Sequence, residues 1–132
     1  MNMADLHEIF TDDALQKLFP ANRADDFFDA LFGDAAEGAY DITLKFGGYK
    51  PNHQELHFEL HLTQRPGKCL ACNLTYGLPE VFSRHPVINI KGLVTDINKL
   101  VDGQLNCKQW SLTNTKSVSS ALHIIPLVIE VE

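Results

Sequence analysis

The segment His53–Thr63 constrains the fold more than any other part of this chain. From Leu56 onward its even positions are all Leu or Phe, whereas its odd positions are all His, Glu or Thr. Successive side chains of a β-strand point to opposite faces of the sheet, so this alternation predicts a strand with one apolar and one polar face. The apolar face requires a core on one side of the sheet only.

Two neighbouring segments show the same alternation. The even residues of Tyr40–Phe46 are apolar, and so are those of Leu70–Tyr76 if Cys72 is counted as a small hydrophobic residue. We therefore predict a three-stranded antiparallel meander over residues 39–76, with a loop over residues 47–52. Directly opposed residues share a face, so the second hairpin should pair Leu62 with Leu70 and Glu59 with Asn73.

Helices are predicted before and after this meander. Thr11 is a suitable N-cap for a first helix that ends before Pro20, and Gly33 is placed to end a second helix over residues 22–32. Apolar residues at helical spacing from Leu93 to Val101 predict a later helix. The predicted fold is α+β, with two N-terminal helices and one later helix packed on an antiparallel sheet of about five strands, in the order α-α-β-β-β-α-β-β.

We expect one domain over residues 1–132, because this length suits a single core and is short for two. It divides into an acidic helical segment (1–34), the meander (39–76), and a loop, a helix and C-terminal strands (77–132).

Charge and composition restrict the classes of function. Residues 1–41 contain ten acidic and two basic residues, so the net charge of −6 comes from the N-terminal segment. A basic footprint for nucleic acid is missing, and no apolar run has membrane-spanning length. We therefore expect a cytoplasmic protein that binds neither nucleic acid nor membrane.

Cysteine spacing suggests zinc or dithiol chemistry at one place only. Cys69 and Cys72 form a C-x-x-C pair, but an offset of three within a strand places the two sulfur atoms on opposite faces. We expect Cys72 in the core and Cys69 as an ordinary thiol. No cofactor is predicted, with a divalent metal as the alternative.

That alternative rests on the polar face of the central strand. Imidazole and carboxylate groups suit zinc, iron or manganese, and the candidate ligands are His57, Glu59, His61 and Asn73. Strand positions four apart lie ~13 Å from one another, so His57 and His61 cannot share one ion. One histidine with Glu59 is the possible pair, and the competing interpretation is a solvated face with ion pairs to Lys45 or Lys68.

A second candidate site is the segment between Pro79 and Pro86. Tyr76, Glu80, Arg84 and His85 form a polar cluster there, and loops often carry ligand-binding groups. Arg84 can bind a carboxylate or phosphate with two hydrogen bonds. The alternative is a plain connection bounded by prolines.

The third candidate is the C-terminal segment from Leu122 onward. It is almost wholly apolar, and its alternation changes between Ile124 and Leu127, which predicts a bulge near Ile125. As an edge strand it would present Ile125, Leu127, Ile129 and Val131 to a partner or a second copy. The alternative is burial within one monomer.

From these observations we predict a non-catalytic binding or regulatory module that binds a protein partner or itself, with a homodimer as one form. The alternative is a small metal-dependent enzyme that uses the His/Glu face of the central strand.

Overall fold

The computed structural model describes residues 3–34, 38–68, 77–101 and 104–132. It contains helices and a five-stranded antiparallel sheet, which confirms the predicted α+β class. The helices are α1 Met3–Ile9, α2 Asp12–Leu18, α3 Asn22–Phe32, α4 Leu78–Arg84 and α5 Ile90–Leu100. The strands are β1 Tyr40–Lys50, β2 Glu55–Gln64, β3 Cys107–Leu112, β4 Lys116–Ser119 and β5 Leu122–Val131.

The β1–β2 hairpin follows the predicted pairing of equal parity. Leu44 lies opposite Leu60, and Phe46 lies opposite Phe58. The register then shifts by one at Gly48, whose φ of 127° is readily adopted only by glycine. The segment predicted as a loop from residue 47 therefore remains in β1 as far as Lys50.

The second neighbour of β2 is β5, and this corrects the predicted meander. The sheet order is β1-β2-β5-β3, with β4 also paired to β5. Over Glu55–Thr63, β2 pairs antiparallel with residues 122–130 of β5, so both of its edges are occupied by β1 and β5. Residues 69–76, with Cys69, Cys72, Asn73 and Tyr76, lie outside the described residues.

The central strand β5 runs straight through the position where a bulge was predicted. Its register with β2 is unbroken, and its odd residues from His123 to Val131 are all buried. His123 fits among them because its Nε2 lies 3.3 Å from the Ser117 hydroxyl oxygen of the adjacent strand, so that polar group has a partner.

All five helices contribute to the core on one face of the sheet. Side chains from each of them join the even residues of β1 and β2 and the odd residues of β5. Local sequence explains the helix ends: the Thr11 hydroxyl accepts a hydrogen bond from the Ala14 backbone N–H at 3.2 Å, and Gly33 ends α3 with a φ of 76°. Representative fully buried core residues are Leu6, Phe27, Phe58, Leu60, Phe82, Ile97 and Leu127.

Arg65 ties α3 to the end of the β1–β2 hairpin. Its guanidinium donates to Asp25 at 2.7 Å and to Asp41 at 3.0 Å, and it lies 5.4 Å from the centre of the Phe28 ring. Nearby, burial raises the pKa of the Tyr40 phenol above its ordinary value, although the Arg65 charge acts in the opposite direction. These contacts hold α3 against the β1–β2 hairpin.

Candidate binding surface

The face of the sheet opposite the helices is called the open face here. On β2 it carries Glu55, His57, Glu59, His61 and Thr63, and each of these side chains is partly or fully exposed. On β5 it carries the even residues, of which Leu122, Ile124, Pro126 and Val128 are apolar. No helix of the described residues joins the core from this side, because all five pack against the buried face.

Four apolar residues run along the middle of the open face, and we call them the apolar stripe: Leu122, Ile124, Pro126 and Val128. All four remain partly exposed in the monomer. They lie on β5, which has β2 on one side and both β3 and β4 on the other. Polar strands therefore flank the apolar stripe on both sides. An apolar centre with a polar rim is the usual anatomy of a protein–protein interface.

The β2 side of the stripe consists of paired acidic and imidazole groups. The Nε2 atom of His57 lies 3.1 Å from a Glu55 carboxylate oxygen, and that of His61 lies 3.1 Å from Glu59. Each histidine therefore pairs with the glutamate that precedes it on the same face, and Lys45 lies opposite Glu59 on β1. The sequence correctly placed three of the four metal candidates, His57, Glu59 and His61, on one polar face.

The described structure does not test the full set of predicted metal ligands. Among the described residues, no group of three or more His, Cys, Asp or Glu side chains is arranged to hold an ion. The fourth predicted ligand, Asn73, lies outside the described residues. His57, Glu59 and His61 instead form part of the rim of the open face.

At one end of the open face, two carboxylates are directly opposed. Glu55 of β2 pairs with Glu130 of β5, and Lys50 of β1 lies on the other side of Glu55. Together with Gln109, Ser111 and Val128, these two glutamates line a small pocket of about 120 Å³. Because these side chains are charged, this end is the least apolar part of the open face. Like charges directly opposite one another also destabilise the pairing of the two strands.

On the opposite side of the stripe, the flank carries a lysine. Lys116 of β4 lies opposite Ile124 of β5, and Ile124 in turn lies opposite His61 of β2. Val118, also in β4, is 60% exposed, more than any other large hydrophobic residue described. The stripe thus separates an acidic flank on β2 from a flank with a lysine and an exposed valine.

The predicted polar loop before Pro86 is the short helix α4. Glu80 and Arg84 form an ion pair of 3.0 Å on it, and both side chains are more than 70% exposed. His85 is held differently: its ring lies 4.8 Å from that of Phe27, and its Nδ1 accepts a hydrogen bond from the Val87 backbone N–H. The cluster borders a shallow pocket of about 410 Å³, while Tyr76 lies outside the described residues.

The predicted interaction edge is wrong in position. β5 has strands on both sides, and Ile125, Leu127, Ile129 and Val131 are at most 2% exposed. These four residues belong to the core. The other face of the same strand carries the apolar stripe, which the sequence prediction missed because both faces of this segment are apolar.

One described cysteine borders the helical layer. Cys107 is partly buried, its backbone N–H donates to the Asn98 side-chain oxygen at 2.8 Å, and burial raises the pKa of its thiol. A raised thiol pKa reduces the thiolate fraction and therefore the reactivity of the group. Cys107 is on this account a packing residue.

No helix among the described residues is long and apolar enough to span a membrane. Comparison of the chain with models of protein families, with curated proteins and with solved structures finds no match. The open face is therefore interpreted from its own chemistry.

Proposed function

We propose that this chain is a non-catalytic binding module whose binding surface for another protein is the open face. The observation that carries the proposal is the apolar stripe at the centre of that face. Native sheets with one exposed face usually alternate apolar and polar residues so that the exposed side is polar. Here β5 is apolar on both faces over most of its length. The residues on its exposed face have no role in the core of the monomer.

The arrangement around the stripe supports the same proposal. Leu122, Ile124, Pro126 and Val128 supply apolar area that gains free energy when removed from water, at about 25 cal/mol per Å². The charged groups at its sides can remain hydrated at the rim. Binding through such a face needs no catalytic group, and the His–Glu pairs on β2 serve as polar rim contacts.

Site-specific photo-crosslinking in the cells that make the protein tests this proposal. A benzophenone amino acid in place of Ile124 should yield a covalent adduct, because that position is at the centre of the surface. The same amino acid in place of Val81, which is 41% exposed on α4, is the matched control and should yield none. Adding Val128→Lys to the chain that carries the benzophenone amino acid at position 124 should abolish the adduct.

Either of two results would contradict the proposal. The first is an adduct from position 81 with none from position 124. The second is an adduct from position 124 that persists when Val128→Lys places a charge beside it.

A further inference from the structure

We infer that the partner of the open face is a second copy of this chain, packed face to face about a twofold axis that runs along β5. This inference rests on the proposed function and names its partner. Three features of the described residues support it: the size of the face, the arrangement of its charges and the position of the acidic segment.

The size of the face approaches that of a small dimer interface. With the axis along β5, three strand columns of each protomer overlap: β2, β5, and β3 with β4. Strands of ten residues, such as β2 and β5, are about 33 Å long, and three strands spaced about 4.8 Å apart span about 14 Å. The resulting rectangle is roughly 480 Å², before the relief of the side chains is added, and standard interfaces begin at about 600 Å² on each partner.

The charges of the face are complementary to themselves under this symmetry. A twofold axis along β5 places the apolar stripe of one protomer on that of the other, and it places β2 over the partner's β4 and β3. His61 then lies over Lys116 of the partner subunit, because both residues are opposite Ile124, and Glu59 is one row away, ~6.6 Å along the strand. A lysine side chain can span that distance to Glu59 when the sheets pack at about 30°.

The other face-to-face arrangement is disfavoured by the same charges. If the axis ran across the strands instead, β2 of one protomer would lie on β2 of the other. The carboxylates of Glu55 and Glu59 would then approach the same carboxylates of the second copy. Like charges brought together in an interface oppose association. The axis along β5 keeps these two columns apart and brings together only Glu130 of each protomer, which is exposed near the end of the strand and can remain hydrated.

The location of the acidic segment also permits self-association. The excess of acidic residues lies in residues 1–41, and helices α1–α3 in this segment pack on the buried face of the sheet. Strand residues on the open face include both carboxylates and lysines, such as Glu59 with Lys45 opposite and Lys116 beyond the stripe. Two copies can therefore meet through their open faces without bringing their acidic helices together.

Sedimentation velocity of untagged protein over the micromolar range tests the inference. The wild-type chain should sediment as a dimer and Ile124→Lys as a monomer. Leu100→Lys, at a 43% exposed leucine on α5, is the matched control and should remain a dimer. Lys116→Glu and Glu59→Lys should each raise the dissociation constant at least about tenfold, and combining them should restore it to near the wild-type value. Circular dichroism of each variant establishes that it is folded, and Val128→Lys replaces Ile124→Lys if the latter does not fold.

Three results would overturn the inference. They are a monomeric wild-type chain, a dimer that survives Ile124→Lys, and a combined Lys116→Glu and Glu59→Lys variant that dimerises no more tightly than either single variant. A monomeric wild-type chain with a photo-adduct to a different protein from position 124 overturns the dimer and leaves the proposed function standing. A monomeric chain with no adduct from position 124 overturns both.

Discussion

Replacing Phe58 with alanine should lower the free energy of unfolding by about 3–5 kcal/mol, a large part of the stability of a domain this size. Phe58 is fully buried on β2, and its ring packs at 5.0 Å from that of Phe10 and at 5.3 Å from that of Phe46. The substitution removes apolar area and leaves a cavity between β2 and α1. Denaturant unfolding monitored by circular dichroism measures the loss.

The matched control is His57→Ala, one residue earlier on the same strand. His57 lies on the open face and makes a partly exposed contact with Glu55 at a hydrogen-bond distance of 3.1 Å, so its loss should cost less than about 1 kcal/mol. Similar losses for the two variants would contradict the assignment of the faces of β2.

Leu127→Lys should prevent folding, whereas Val128→Lys should leave the fold intact. Leu127 is fully buried between Phe58 of β2 and Leu112 of β3, and a lysine there would place an unpaired ammonium group in the core. The expected loss exceeds about 4 kcal/mol, which is exceptional for a single substitution. Thermal unfolding of both purified variants provides the comparison.

Val128 lies on the open face beside Glu55 and Glu130, so a lysine at this position can extend toward water and toward two carboxylates. We expect a folded protein whose melting temperature falls only by the contribution of the lost dimer, together with loss of binding through the open face. Two variants of equal stability, whether both folded or both unfolded, would show that the two faces of β5 are not distinct.

The local pattern of the sequence was sufficient to predict which side chains of the β1–β2 hairpin face the core. The alternation of Glu55–Thr63 fixed which side chains of β2 are buried, and equal parity fixed their partners on β1. Hairpin partners are close in sequence, so few registers are possible. Gly33 likewise marked the end of α3, because its positive φ is a local property of the backbone.

The second partner of β2 was beyond the reach of local patterns. Residues 70–76 and residues 122–131 are both apolar and alternating, and the choice between them depends on long-range packing. His123 added to the difficulty, because a histidine among apolar residues indicated a change of face. The structure buries it beside Ser117, and the strand keeps its alternation.

The same misreading concealed the candidate binding surface. With the bulge removed, Ile125 and Leu127 point to the core, and Ile124, Pro126 and Val128 point to the open face. The polar rim on β2 was predicted correctly, since His57 and Glu59 alternate with leucine and phenylalanine. Its role could not be assigned until β5 was placed beside it.

The most direct test of self-association through the open face is the exposure of the Ile124 methyl groups in solution. A neutral gadolinium chelate broadens methyl NMR signals that it can approach, with Leu100 as the exposed reference and Leu127 as the buried one. We predict that the Ile124 signals of the wild-type protein remain nearly as sharp as those of Leu127, and that Val128→Lys broadens them toward the level of Leu100. Ile124 signals that are broadened as strongly as those of Leu100 in the wild-type protein would contradict a covered open face.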